Sequence, residues 1–436
     1  MACAIEQGRG IKKSDVSSKR CCSPSYISAV DILSSSEIVQ VSATSNEENV
    51  AVALNYCKSR VVVPYLKLLA AVGLRPLACG TNRPTWCITS LGLVILAFML
   101  ALLLTGYTLQ FLSCFRRDLG PLREKNGNET NDWVDFCPMP QMIFSFAIPS
   151  FLHLCTYLYM LCLFRVREVE KLPHLMERVF VVSSPPGNQM QLKKLTTSLW
   201  LLLAIAFTWL VMSMVTFSLA LWLEPPNFHW ITIECPVAMR VLLASGTIVQ
   251  DAVQSILVSG YCLQAHLLTL FAAALRQRIL KRNISLLDWM REVREFLELL
   301  RHLNNCLAPA VCVLALLSSS WALSGFITII RRPEYSSRLF VAALLVLLWA
   351  TLATAPFFMA TRLGKNCSAL RDVGHEIRAK PFLYMDSSTE ELDSLLLFSS
   401  TLRLKPRLFG TPVSGQYFCV FIALIALATL VVGQLT

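Results

Sequence analysis

Residues 285–330 read SLLDWMREVREFLELLRHLNNCLAPAVCVLALLSSSWALSGFITII, and the two halves of this stretch suit different solvents. In the first half Leu286, Met290, Val293, Leu297 and Leu300 recur at spacings of three and four, the repeat of one helix face. Asp288 with Arg291, and Arg291 with Glu295, make charge pairs on the opposite face. Ser285, with Asp288 three residues on, supplies a cap that starts the helix. The second half, Cys306 to Ile330, carries no charge and is long enough for a hydrocarbon core of roughly 30 Å, which takes about 20 helical residues. An amphipathic helix that runs straight into such a segment predicts an all-α membrane protein whose helices extend into water.

Six further apolar runs flank this one, at Thr85 to Leu112, Gln141 to Phe164, Leu195 to Leu223, Val237 to Cys262, Leu339 to Thr361 and Val413 to Leu435. Backbone groups in lipid have no water to bond, so each run must be helical. The whole-chain composition agrees: of 436 residues 55% are apolar and 15% charged, and the mean hydropathy is +0.56. A soluble fold of this size cannot bury so much apolar surface. The 16 cysteines form no CxxC pair, which argues against a zinc module and a dense disulfide scaffold.

Lys and Arg alternate between the two sides of these runs. The N-terminal segment and the connections Arg165 to Lys194, Arg276 to Arg301 and Arg362 to Arg407 hold 31 of the 39 basic residues. The other three connections hold 7, and Arg240 lies inside the fourth run. The basic side faces the cytosol, so a net charge of +11 marks a membrane face and not a nucleic-acid partner. Seven spans with this bias place the N-terminus inside and the C-terminus outside. Five ranges follow: a disordered cytosolic segment 1–60, an interfacial helix 61–84, spans one to six in 85–382, the cytosolic lead of the seventh helix 383–412, and its membrane part 413–436. The Asn128-Glu129-Thr130 sequon falls outside and is the candidate glycosylation site, whereas those at Asn283 and Asn366 fall inside. Cys137 and Cys235, both assigned outside, are either bridged or free.

Helix extensions on the cytosolic side are expected to pack together. Past Cys262 the fourth run continues helix-like to a break at Asn283, and Ser388 with Glu391 forms a second capping box. After it, Leu392, Leu395, Leu396, Phe398 and Leu402 need burial, until Lys405-Pro406 breaks the helix. The last run contains no charge, and stepping back from Gln434 by threes and fours gives Leu430, Leu427, Ala423 and Val420, with Val431 adjoining.

Several of these segments resemble the insect gustatory and odorant receptor superfamily, in its gustatory branch. They are VVVPYLKLLAAVGLRPLA at 61–78, LRHLNNCLAPAVCVLALL at 300–317, the long lead into the last run, and Gln434 near its end. The family's C-terminal mark is Thr-Tyr, five mostly apolar residues, then Gln-Phe; Gln434 matches, while Leu427, Ala428 and Leu435 stand at the other positions. The resemblance spans roughly 61–436. It implies a ligand-gated, non-selective cation channel in the plasma membrane, a homo- or hetero-tetramer anchored by the cytosolic extensions, opened by a small-molecule tastant. It also implies that Val420, Ala423, Leu427, Leu430, Val431 and Gln434 line the pore, and that the ligand sits in the outer half of helices one to six.

Polar groups inside the runs are the candidate pocket residues. Asp251 lies eleven residues past Arg240, near mid-depth, between Gln250 and Gln254. His153 in the second run and Trp321 in the fifth complete the set. Trp209, Trp222, Trp230 and Trp349 read as interface anchors or packing, and Pro309 and Pro356 as kink positions. No cofactor, metal or catalytic constellation can be assembled. A G-protein-coupled heptahelical receptor would need the N-terminus outside and an Asn-Pro-x-x-Tyr in its seventh span, which is absent. A secondary transporter would need repeated halves.

Overall fold

The computed structural model describes residues 59, 63–75, 86–113, 115–116, 120–121, 124–125, 133–134, 143–166, 174–179, 189–223, 236–331, 336–379, 389–402, 404, 406–408, 411–412 and 424. All of them belong to the unit Asn46–Thr436. The described elements are α1 (Val63–Ala71), α2 (Trp86–Ser113), α3 (Ile148–Val166), α4 (Gln189–Leu223), α5 (Pro236–Leu280), α6 (Leu286–His302), α7 (Ala308–Arg331), α8 (Ser336–Arg371), α9 (Val373–Arg378) and α10 (Thr389–Thr401). Three antiparallel hairpins of two-residue strands accompany them: β1 (Phe115–Arg116) with β2 (Gly120–Pro121), β3 (Glu124–Lys125) with β4 (Trp133–Val134), and β5 (Arg407–Leu408) with β6 (Thr411–Pro412). Six helices are long and apolar enough to cross a membrane, coinciding with the first six apolar runs. The seventh run lies outside the described residues, apart from Leu424.

Helix α5 is the pillar of the bundle. In its most apolar stretch 78% of the residues are buried, against 22–50% in the other five. It packs against α2, α4, α7 and α8, so it meets protein on nearly all sides. The outer helices instead carry large apolar side chains on their outward faces, among them Phe98, Phe151, Phe207 and Phe340, as a lipid-facing surface requires. Where α2 crosses α5 the backbones touch: a Cβ on Gly246 would lie 2.6 Å from the Gly106 Cα and 2.9 Å from the Leu102 carbonyl.

Two wide π turns interrupt the helices, at Ile143–Ala147 and Leu303–Leu307, and each is followed two residues later by a proline, Pro149 and Pro309. Proline has no N–H to give the preceding turn, so the chain takes one extra residue per turn and resumes α-helix beyond it. The Ala308 N–H accordingly reaches back five residues to the Leu303 carbonyl. The kink expected at Pro309 is this π turn. Pro356, in contrast, lies within the continuous helix α8.

At one end of the bundle α5, α6, α8, α9 and α10 form a second packed region. Ser285 caps α6 as expected, accepting from the Asp288 N–H at 3.1 Å. The buried face of α6 is centred one residue away from the expected stripe. Trp289, Val293, Phe296 and Leu300 are buried, while Leu286, Met290 and Leu297 are half-buried flanks. The largest side chains take the centre because they remove the most apolar area from water. Trp289 stacks edge-on to Phe398 of α10, and Phe296 to Phe271 of α5. Asp288 and Arg291 approach to 3.9 Å as expected, but Glu295 pairs with Arg178, at 3.3 Å, and not with Arg291. Arg276–Glu376, Arg278–Glu292 and Arg378–Asp393 join further elements of this end. On α10 Leu395 is buried and Leu392, Leu396 and Phe398 are half-buried, and Leu402, just past its end, is buried. Ser388, its expected cap, lies outside the described residues.

Within the range 61–84 lies α1, which docks on the bundle through Tyr65, Leu69 and Ala70. The Tyr157 hydroxyl of α3 donates to the Val72 carbonyl at 2.8 Å, and Gly73, at φ 79°, turns the chain away.

A pocket at the junction of six helices

A small open cleft, with about 50 Å³ of room for the centres of water-sized molecules, lies at the end of the bundle opposite to α6. Every one of the six long helices contributes. Gln110 comes from α2, Pro149 and Ser150 from α3 with Ser145 and Phe146 from the π turn before it, Phe217 from α4, Thr247, Gln250 and Asp251 from α5, Trp321 from α7 and Trp349 from α8. These residues fall in the C-terminal halves of α2, α4 and α7 and the N-terminal halves of α3, α5 and α8, which is one end of an antiparallel bundle.

Helix α5 brings the polar groups because Thr247, Gln250, Asp251 and Gln254 recur at the spacing of one helix face. The Gln110 side-chain amide of α2 donates to Thr247 Oγ1 at 3.2 Å and to Gln250 Oε1 at 3.3 Å. That reach across the helices depends on the glycine crossing one turn away, where Gly106 and Gly246 let α2 and α5 close up. Asp251 is 1% exposed, and the Ser213 hydroxyl of α4 donates to its Oδ2 at 2.5 Å. One turn deeper, Gln254 Nε2 donates to Ser318 Oγ of α7 at 2.7 Å.

Another part of the lining is aromatic. Trp321 and Trp349 have ring centroids 4.5 Å apart, and Trp349 meets Trp209 edge-on at 5.8 Å. The Trp209 indole N–H donates to the Leu348 carbonyl at 2.9 Å, which fixes the cluster to α8. Trp222, by contrast, is 81% exposed and has no part in the wall.

Asp251 and Trp321 therefore share one cavity, whereas His153 does not line it. His153 lies a turn along α3 from Pro149 and Ser150, fully buried, hydrogen-bonded through Nδ1 to the Tyr107 hydroxyl at 2.6 Å. The reading from sequence missed Gln110, Ser145, Ser150, Ser213, Thr247 and Ser318. Serines and threonines are common in apolar helices, where their hydroxyls bond to the preceding turn, so their spacing carried no signal. No group of three or more His, Cys, Asp or Glu able to hold a metal occurs among the described residues. Asn128, Cys137, Cys235, Trp230 and the pore residues Val420, Ala423, Leu427, Leu430, Val431 and Gln434 lie outside them.

A link from the pocket helices reaches the segment that precedes the last run. In the π turn before α7, Asn304 Oδ1 accepts from the Arg407 N–H at 3.0 Å, and the Cys306 carbonyl accepts from the Tyr159 hydroxyl of α3 at 3.0 Å. Strand β5 is thereby fixed to the start of α7, just ahead of residue 413.

The sequence matches no described protein family and no curated protein. The structure does have solved counterparts. The insect olfactory receptor OR5 from Machilis hrabei superposes with a TM-score of 0.61 at 13% identity, covering 86% of this chain and 98% of that one. The same receptor in complex with eugenol gives a TM-score of 0.63 at 13% identity and the same coverage. The fold is that of the insect olfactory receptors. At this identity the likeness concerns the path of the chain and the order of its helices. It agrees with the superfamily resemblance carried by residues 61–78 and 300–317.

Proposed function

We propose that this protein is a chemosensory receptor of the gustatory type, acting as a ligand-gated, non-selective cation channel in the plasma membrane. Four subunits surround a central pore lined by Val420, Ala423, Leu427, Leu430, Val431 and Gln434. The N-terminus and the α6, α9 and α10 region face the cytosol, in keeping with the 31 to 7 division of basic residues. The observation that carries the reading is a pocket walled by all six long helices in the fold of the olfactory receptors, one of which was solved with the small molecule eugenol. A ligand that joins six helices biases their relative positions, and a ligand shifts an equilibrium by its differential affinity for the two states. The Asn304 to Arg407 bond offers a route from α7 to the segment preceding the pore helix. The uncharged last run suits a pore closed by dewetting.

The test is recording from excised membrane patches of cells expressing the chain, bathed without nucleotides. Small organic ligands should evoke a current that reverses close to zero and persists when potassium replaces sodium. Responses seen in intact cells only, and abolished in excised patches, would favour a G-protein-coupled mechanism and overturn the channel reading.

A further inference from the structure

We infer that the cleft selects uncharged ligands that present an oxygen acceptor, such as a ketone or an ester, to the Gln250 side-chain amide, an inference that rests on this cleft being the ligand site. What decides this is the direction of each proton among residues of the lining. Thr247 Oγ1 donates its one proton to the Leu243 carbonyl at 2.8 Å, so toward Gln110 it can only accept. The Gln110 amide therefore turns its nitrogen to Thr247. The second proton of that nitrogen goes to Gln250 Oε1 at 3.3 Å, which sets the Gln250 amide with its oxygen toward α2 and its nitrogen elsewhere.

Gln250 is only 6% exposed, and its Nε2 has no hydrogen-bond partner among the described residues. That nitrogen is not sealed in protein: it keeps contact with the open space of the cleft, which Gln250 lines. N–H donors held in this way, on a side chain otherwise buried, call for an acceptor from outside the chain. A ketone or ester oxygen supplies one, while the body of such a ligand lies against Phe146, Phe217, Trp321 and Trp349 of the same lining. A hydrocarbon would displace water and leave the donors unmatched, at the cost of a buried unsatisfied group. An ammonium has donors and no lone pair, so it meets Nε2 donor to donor.

The purified full chain in lipid nanodiscs tests this with three labelled probes of one shape: acetophenone, ethylbenzene and protonated 1-phenylethylamine. Each probe is compared between the parent chain and a variant, which cancels what that probe loses on leaving water. Gln250→Met, close in volume but without the amide, should weaken acetophenone about tenfold, the equivalent of one hydrogen bond with its buried donor. Ethylbenzene and the ammonium should stay within about threefold, which also shows that the variant is folded. Gln250→Asn, which withdraws the same amide by one carbon, should weaken acetophenone in the same selective way. Acetophenone binding that Gln250→Met leaves unchanged, an equal fall of all three probes in both variants, or tightest binding of the ammonium by the parent chain overturns the acceptor class and leaves the pocket standing. Binding of none of the three by the parent chain overturns the pocket as well.

Discussion

Arg282 holds φ at 57°, in the left-handed region, where it ends α5. Its N–H reaches the Ile279 carbonyl and that of Asn283 reaches Arg278, both at 3.0 Å, the pattern that glycine usually terminates. The left-handed conformation costs a β-carbon-bearing residue about 1–2 kcal/mol, and glycine returns part of the gain as extra unfolded-state entropy. Arg282→Gly should therefore stabilise the chain by about 0.5–1 kcal/mol, seen as a raised thermal midpoint in detergent; a lowered midpoint would mean that the arginine side chain is the stronger contributor. Tyr107→Phe acts in the other direction. It leaves His153 Nδ1, fully buried, without the hydroxyl 2.6 Å away, and should cost about 1–3 kcal/mol in the same measurement. At this scale the sequence was legible where chemistry stood out against its background. Asp251 is conspicuous as a carboxylate in an apolar run, and the pocket contains it. Ser213 and Ser318 are not conspicuous, because their partners lie 38 and 64 residues away on other helices. Which residues face one another then depends on helix rotations that local spacing does not set.

Gly246 shows how an element's position rests on the absence of a side chain. In an isolated helix Gly→Ala would stabilise by about 1 kcal/mol. Here the new Cβ would fall 2.6 Å from a backbone atom of α2, which cannot rotate away. Gly246→Ala should separate α2 from α5, destabilise the chain by about 1–2 kcal/mol net, and lengthen the Gln110 contacts to Thr247 and Gln250. Unchanged thermal stability and ligand affinity would contradict the close crossing. Helix α6 was legible in start, length and amphipathicity, but not in the centre of its buried face. Its apolar residues Leu286, Leu287, Trp289, Met290, Val293, Phe296, Leu297, Leu299 and Leu300 cover a broad arc, and periodicity alone left the centre free to move by one residue. Phe296→Glu should abolish the folded peak in size exclusion, since a buried unpaired charge costs several kcal/mol. Leu287→Glu, at a position 75% exposed, should leave the subunit folded. The π turns had a signal that was only half used: Pro309 was read as a kink, while Pro149, in the same setting at the start of α3, went unremarked.

Across the whole molecule the six described long helices were legible because lipid imposes a length and a composition on each. Their arrangement around α5 was not: the fourth run alone among them carries charged residues, Arg240 and Asp251, but periodicity does not say which helices pack around it. Orientation belongs to this scale too. Tags at the two termini should be visible on intact cells at the C-terminus and only after permeabilisation at the N-terminus; a surface-exposed N-terminus would contradict the charge distribution. The claim on which the account depends most is that the last run lines an ion pore. Cysteines placed one at a time from Val420 to Leu435, in a background unresponsive to the reagent, can be probed by a charged thiol reagent applied from outside during recording. Ligand-evoked current should be blocked at positions recurring every three or four residues, including Leu427, Leu430, Val431 and Gln434. Block at none of them, with currents intact, would contradict a pore along this helix.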